Sequence, residues 1–246
     1  MGSSSSAEGE GRSESFGQSH RLTLVDRLGV WLSGRSIHRH VDTFRGKRIG
    51  DVGCGYNATF ARTVLDDVEH AVLLDLAVDP ELKAHPHAEV IEGTLPGTLA
   101  QIPDESLDVV LCTSVLEHLW EPQRALDGMR PLLRPGGVCL VNVPSWLGKR
   151  ALELSAFRLG LSPAEEMNDH KAYYDPRDLW PMLVRAGFRP QDLRVARRKF
   201  GLNPFAGCRG PPYACRRWSS SIRACCPASS FPTRTATPAD GPRATG

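Results

Sequence analysis

The 246-residue sequence has no apolar run near the roughly 18 residues that a membrane-spanning helix needs. It also has no opening basic stretch followed by an apolar one, which is the pattern of a secretory signal peptide. These two absences predict a cytoplasmic protein without a membrane span. Aromatic residues make up only 7% of the chain, and the hydrophobic share of 41% is ordinary for a globular domain with tails.

The cysteines do not follow the spacing of a metal site. There are seven, an odd number, and the four nearest the C-terminus match no common zinc pattern: Cys208, Cys215, Cys225 and Cys226. Their arrangement therefore predicts no structural zinc.

Charge divides the chain into a mildly acidic body and a basic end. Residues 1–196 sum to −6, whereas residues 197–246 sum to +8 with the single acid Asp240. An acidic body argues against a nucleic-acid-binding domain. The Ser/Gly/Glu-rich residues 1–20 and the aperiodic basic residues 208–246 are predicted to be disordered tails. The abrupt change near Gly207 suggests that the basic tail is unselected read-through, with a natural basic extension as the alternative.

Between the tails, strand and helix patterns alternate. Residues 21–46 have apolar residues at helical spacing and predict a lead-in helix, with a break possible at Gly34. Residues 47–207 form the predicted domain, in which a helix is expected over Ala58 to Leu65. A later helix is expected to begin with Asp175 as its cap and Pro176 at its first position. Two antiparallel strands are expected to close the sheet, although Pro204 in the second removes a ladder donor. Residues 145–174 interrupt the alternation as an inserted substrate or lid segment. This pattern predicts an α/β fold, a mostly parallel sheet with helices on both faces.

A glycine turn follows the first predicted strand. Gly53, Gly55 and Ala58 fit G-x-G-x-x-A, and Asp75 ends the next strand about 20 residues on, where an acid can bind ribose hydroxyls. Such a turn lets a ligand approach the backbone, and a following helix would present free N–H groups to it. A dinucleotide, S-adenosylmethionine or no ligand all agree with the turn alone.

Three further features favour one of these possibilities. Asp51 completes D-x-G-x-G, "LEH" with Glu117 and His118 follows the fourth strand, and "LRPGG" precedes the fifth. In this order the motifs resemble the class I S-adenosylmethionine-dependent methyltransferases, in the branch that acts on small molecules. The resemblance covers about residues 45–207 and implies a Rossmann-like, seven-stranded sheet.

The resemblance also implies roles for particular residues. Asp51, Gly53 and Gly55 would line the methionine part of the cofactor, and Asp75 would bind both ribose hydroxyls. The remaining cofactor positions are Leu76 against adenine, Thr94 where relatives often carry an acid for the adenine amino group, and Ser114 at the methionine end or the substrate. Some relatives bind a metal through a second glutamate where this chain has Ser114, so no metal is expected.

Methyl transfer from a sulfonium asks mainly for orientation and desolvation, and a general base helps when the acceptor is a hydroxyl. His118 and His170 are the candidate bases, and for both a purely structural role stays open. The predicted function is methyl transfer to a small-molecule or a sugar- or lipid-linked acceptor. A nicotinamide-dependent oxidoreductase and an inactive methyltransferase-like scaffold are the alternatives. Tyr173 and Tyr174, which lack a lysine four residues on, do not support the oxidoreductase.

Overall fold

The computed structural model describes residues 14–19, 24–146, 171–198 and 203–210. The strands are β1 Arg48–Val52, β2 His70–Asp75, β3 Ala88–Glu92, β4 Leu107–Thr113, β5 Leu133–Asn142, β6 Leu193–Arg198 and β7 Asn203–Arg209. The helices are α1 Leu24–His38, the four-residue α2 Pro80–Lys83, α3 Pro122–Met129 and α4 Pro176–Arg185. Single 3-10 turns lie at Ala61–Thr63, Gly97–Gln101, Leu116–His118, Arg130–Leu132 and Pro190–Asp192.

All seven strands form one sheet in the order β3-β2-β1-β4-β5-β7-β6. The first five strands run parallel, and β7 is inserted antiparallel between β5 and β6. This confirms the predicted mostly parallel sheet and the two closing antiparallel strands. Pro204 lies in β7, where the prediction raised a conflict with strand pairing. Its carbonyl accepts from the Val143 amide at 3.2 Å, just past the last β5 residue, so the ladder loses little there.

The core has two layers because alternate strand residues face opposite sides of the sheet. In β4, Val110 and Cys112 join the cluster under α3 and α4, whereas Val109 and Leu111 join the cluster on the other face. That second cluster is closed by the end of α1 through Ile37 and by α2. The prediction of cover on both faces is therefore confirmed.

The helix predicted over Ala58 to Leu65 was wrong. The segment turns repeatedly, with one 3-10 turn at Ala61–Thr63, although Ala58, Ala61 and Leu65 are buried as the apolar spacing requires. Ala58 has φ 41°, which starts the segment outside the right-handed helical region. Thr63 and the residues after it, Val64, Asp66 and Asp67, are also weak helix formers.

The two flanking helices differ in how closely they follow the sequence pattern. Helix α1 continues through Gly34, where an added Cβ would lie 3.4 Å from the Phe60 ring, and it ends at His38 instead of near residue 46. Helix α4 begins as expected: Asp175 caps it in a reciprocal capping box with Asp178, and Pro176 takes the first position. Pro181 falls on its exposed side, where water can reach the carbonyl that loses its partner.

Two predicted regions lie largely outside the described residues. They are the inserted segment apart from its ends, and the basic tail beyond residue 210. Residues 14–19, part of the N-terminal segment for which disorder is predicted, do have defined contacts. Within the described part of the chain, no helix is long and apolar enough to cross a membrane.

Candidate active site

The candidate site lies at the carboxyl ends of β1, β2 and β4. The strand order reverses between β1 and β4, and open α/β sheets bind ligands in the crevice at such a switch point. Asp51 lies within β1, and Gly53 and Gly55 follow it. Asp75 ends β2. The sequence pattern therefore placed all four of these predicted cofactor residues at the carboxyl edge of the sheet.

Glycine is required at both turn positions. Gly53 has φ 73°, and a Cβ there would lie 2.3 Å from Cγ2 of Val115. Gly55 also has φ 73°, and its Cβ would lie 3.2 Å from the carbonyl oxygen of Phe16. Left-handed backbone and close approach by neighbours exclude larger residues. The backbone of the turn thus borders the crevice without side chains at Gly53 and Gly55.

A helix was expected to follow the turn and to present free amides, but the amides of the turn itself are bonded within the protein. The N–H groups of Gly53 and Cys54 both donate to the Leu74 carbonyl, at 2.8 and 3.1 Å. The Gly55 N–H donates to Oδ2 of Asp75 at 2.8 Å. No α-helix follows the turn, so the anion site that a helix N-terminus provides is missing as well. A pyrophosphate would find little to bind here, which argues against a dinucleotide.

Asp75 is held in place by backbone donors. Besides the Gly55 amide on Oδ2, its Oδ1 accepts from the Leu76 amide at 2.8 Å and from the Ser15 hydroxyl at 2.5 Å. These bonds fix the carboxylate at the strand end, facing the crevice. A carboxylate at this strand end suits hydroxyl donors of the kind that a ribose carries.

Asp51 is a buried acid beside this carboxylate. It is 5% exposed, and its pKa is raised to about 7, first because burial removes water from the charged form and then because Asp75 repels it. A positively charged group entering the crevice would favour the ionised form of Asp51 and so oppose the rise in its pKa. The pair therefore favours a ligand that carries a cation next to a ribose.

The two residues expected at adenine lie on the β2 and β3 side of the site. Leu76 follows Asp75 directly and is half-buried. Thr94 is exposed and follows Gly93, whose amide donates to the Asp75 carbonyl at 2.9 Å. The chain thus brings both positions next to the Asp75 carboxylate, and the contacts of these residues with ribose and adenine stay predictions.

Ser114 and His118 lie past the end of β4. Ser114 is exposed and has φ 56°, which is an unusual backbone conformation for serine. A hydrogen bond from its backbone amide to the Asn142 carbonyl, at 2.8 Å, holds this conformation. The next residue, Val115, packs on Gly53. Its carbonyl oxygen accepts a hydrogen bond from the His118 amide at 2.9 Å. His118 is half-buried at the end of its 3-10 turn, on the same edge as the glycine turn. His170 lies outside the described residues.

The segment after residue 170 closes against this turn. The amides of Lys171 and Ala172 donate to the Glu117 carbonyl at 2.7 and 3.3 Å, and the Tyr174 hydroxyl donates to the Leu116 carbonyl at 3.4 Å. The Glu117 side chain is 1% exposed. Burial and the nearby Glu117 raise the pKa of Tyr174 to about 12, so Tyr174 stays protonated and able to donate. These hydrogen bonds therefore hold the 3-10 turn that carries His118 against the segment after residue 170.

Sequence reasoning gave no site role to Ser15, whose hydroxyl reaches Asp75. No local signal marks it, because it lies in a Ser/Gly/Glu-rich stretch 60 residues from its partner. Among the residues that the structure describes, no group of three or more His, Cys, Asp or Glu side chains could hold a metal ion.

The strand order and the antiparallel β7 define a Rossmann-like methyltransferase fold. Residues 50–141 match the methyltransferase domain family. The match indicates a methyltransferase domain in this part of the chain, and the cofactor roles of Asp51 and Asp75 stay predictions.

Proteins of similar sequence agree with the presence of a methyltransferase domain. The chain is 32% identical over 166 residues to the ubiquinone biosynthesis O-methyltransferase of Psychrobacter arcticus. The alignment covers 60% of this chain and 61% of that protein. The chain thus spans about three fifths of the length of that relative.

Solved structures support the fold. A methyltransferase from Archaeoglobus fulgidus matches with a TM-score of 0.54 at 15% identity, over 73% of this chain and 93% of that one. The 1,6-didemethyltoxoflavin N1-methyltransferase of Burkholderia thailandensis, solved with S-adenosylhomocysteine, matches with a TM-score of 0.53 at 17% identity, over 76% and 83%.

Proposed function

We propose that this protein transfers a methyl group from S-adenosylmethionine to a hydroxyl oxygen of a small-molecule acceptor. The observation that carries the proposal is the meeting of two groups of residues at one sheet edge. Asp51, the glycine turn and Asp75 form the cofactor side, and the turn from Ser114 to His118 adjoins them through Val115. The choice of oxygen draws support from the relative named an O-methyltransferase.

On the cofactor side, this chain's residues bind and orient. Asp75 accepts the ribose hydroxyls, Leu76 lies against adenine, and Gly53 and Gly55 let the ligand reach the backbone. Asp51 faces the charged methionine part, where desolvation strengthens its attraction to a cation. The bound cofactor supplies a methyl group already activated by its sulfonium.

On the acceptor side, Ser114 directly precedes Val115, which packs on Gly53. His118 is the proposed base for the proton of an acceptor hydroxyl. His170 is the second candidate base, in the inserted segment that is proposed to form the acceptor pocket. A sugar- or lipid-linked acceptor and a cytoplasmic location stay predictions.

Calorimetry with S-adenosylmethionine, S-adenosylhomocysteine and NAD tests the cofactor assignment. We expect the first two to bind and NAD to give no heat of binding, because the amides of Gly53 and Cys54 are already bonded to Leu74. Binding of NAD without S-adenosylmethionine would overturn the proposal. Binding of none of the three would favour an inactive scaffold.

Acceptor chemistry is tested with radiolabelled S-adenosylmethionine and a panel of ring hydroxyl, aliphatic hydroxyl and amine compounds. We expect label on a hydroxyl compound. With that acceptor, His118→Gln and His170→Gln are compared with the wild type between pH 6 and pH 9. A general base contributes about 10²- to 10⁴-fold, so one variant should lose its rate and its pH dependence together. Full turnover by both variants would show that no histidine base is used.

A further inference from the structure

Residues 14–19 lie on the cofactor side of the site, and we call them the strap. Ser15 is 3% exposed, and its hydroxyl donates to Oδ1 of Asp75 at 2.5 Å while it accepts the Ala77 amide at 2.7 Å. The strap therefore contacts the carboxylate that the proposed function assigns to the ribose.

Two further bonds hold the strap over the glycine turn. The Phe16 carbonyl accepts the Tyr56 amide at 2.9 Å, and the Gly17 carbonyl accepts the Asn57 side-chain amide at 3.3 Å. Gly17 is buried with φ 78°, so the strap bends there into backbone that suits glycine. Three consecutive strap residues thus bond to β2, to the turn, or to the residues just after them.

The hydrogen-bond capacity of Asp75 makes the strap and a ribose compete. An ionised carboxylate has about four acceptor positions. Oδ1 already accepts from Leu76 and Ser15, and Oδ2 from Gly55, which leaves about one position. A ribose brings two hydroxyl donors. The Ser15 hydroxyl therefore stands where one ribose hydroxyl would bond.

We propose that the strap is a built-in competitor of the cofactor, and that S-adenosylmethionine binds by displacing Ser15 from Asp75. This rests on the proposed function. The apparent dissociation constant of the wild type is then the intrinsic constant divided by the fraction of molecules in which the strap is open. Conditions that release the strap would increase cofactor binding without any change in the crevice itself.

Two variants of the full chain test the competition by calorimetry with S-adenosylhomocysteine. Ser15→Ala removes the competing hydroxyl, and Gly17→Ala strains the bend without touching Asp75. We expect dissociation constants about 5- to 20-fold lower for Ser15→Ala and about 2- to 10-fold lower for Gly17→Ala. Ser19→Ala, at an exposed strap residue, is the matched control and should equal the wild type.

Hydrogen exchange of the strap amides gives a readout that does not depend on affinity. Saturating S-adenosylhomocysteine should speed exchange over residues 14–19 in the wild type. Slower exchange, together with weaker binding by both variants, would show that the strap closes over the cofactor and would overturn the proposal. Equal dissociation constants in wild type and variants would also overturn it while leaving the cofactor assignment intact. Absence of binding in all of them would refute the cofactor assignment, and the proposal with it.

Discussion

Replacing Asp51 by asparagine should stabilise the fold and weaken cofactor binding, and both effects should depend on pH. Asp51 has a pKa of about 7 in the folded protein, against 3.8 for an ordinary aspartate. A shift of one pKa unit corresponds to about 1.4 kcal/mol, so the ionised carboxylate costs the folded state up to about 4 kcal/mol at pH 8. Asparagine keeps the shape of the side chain and removes that cost.

The sign follows from the direction of the shift. Because the folded state holds the Asp51 proton more tightly than the unfolded state, the wild type loses stability as pH rises from about 4 to 7. The gain from Asp51→Asn should be small near pH 4, grow through this window and level off above pH 7. Since the new amide also needs hydrogen-bond partners, we expect Asp51→Asn to raise the free energy of unfolding by about 1–3 kcal/mol at pH 8.

Urea unfolding at several values between pH 4.5 and pH 8 measures the difference. Asp66→Asn is the control, because the Asp66 side chain is fully exposed and should change stability by no more than about 0.5 kcal/mol. A gain that does not vary with pH, or a loss at pH 8, would refute the reasoning. Calorimetry completes the test: S-adenosylhomocysteine affinity should fall below pH 7 in the wild type, and it should be low and insensitive to pH in Asp51→Asn.

Three further substitutions test other parts of the site and sheet. Asp75→Ala should raise the dissociation constant for S-adenosylhomocysteine about 10- to 100-fold, since it removes the carboxylate for both ribose hydroxyls; an unchanged constant in calorimetry would place the ribose elsewhere. Gly53→Ala should lower the free energy of unfolding, measured in urea, by about 2–4 kcal/mol, because the residue has positive φ and its new methyl group meets Val115. Gly46→Ala is the control: it also has positive φ but has open space around it, so it should lower the free energy of unfolding by about 1 kcal/mol. Equal costs would mean that Val115 moves aside easily. Pro204→Thr should raise the melting temperature by only about 1–3 °C, because the restored donor faces the end of β5; a larger rise would show that Pro204 disrupts the edge more than its contacts indicate.

Local sequence patterns were sufficient for the elements that depend on local chemistry. The capping residues Asp175 and Pro176 started α4 where the pattern indicated. The apolar runs gave the strands, and the ends of β1 and β2 put Asp51 and Asp75 at the same sheet edge because carboxyl ends of parallel strands meet there. The position of the predicted cofactor residues at one edge of the sheet was therefore largely readable from the sequence.

The tertiary structure alone decided what surrounds those residues. The segment after the glycine turn kept its buried pattern and lost its helix, because Ala58 took positive φ and Arg62 bonded to Asp79 across 17 positions. The pKa of Asp51 depends on burial and on Asp75, which is 24 positions away. The contact between Ser15 and Asp75 joins a polar, aperiodic stretch to a strand end. Each of these rests on groups far apart in sequence, and local periodicity holds no information about such pairs.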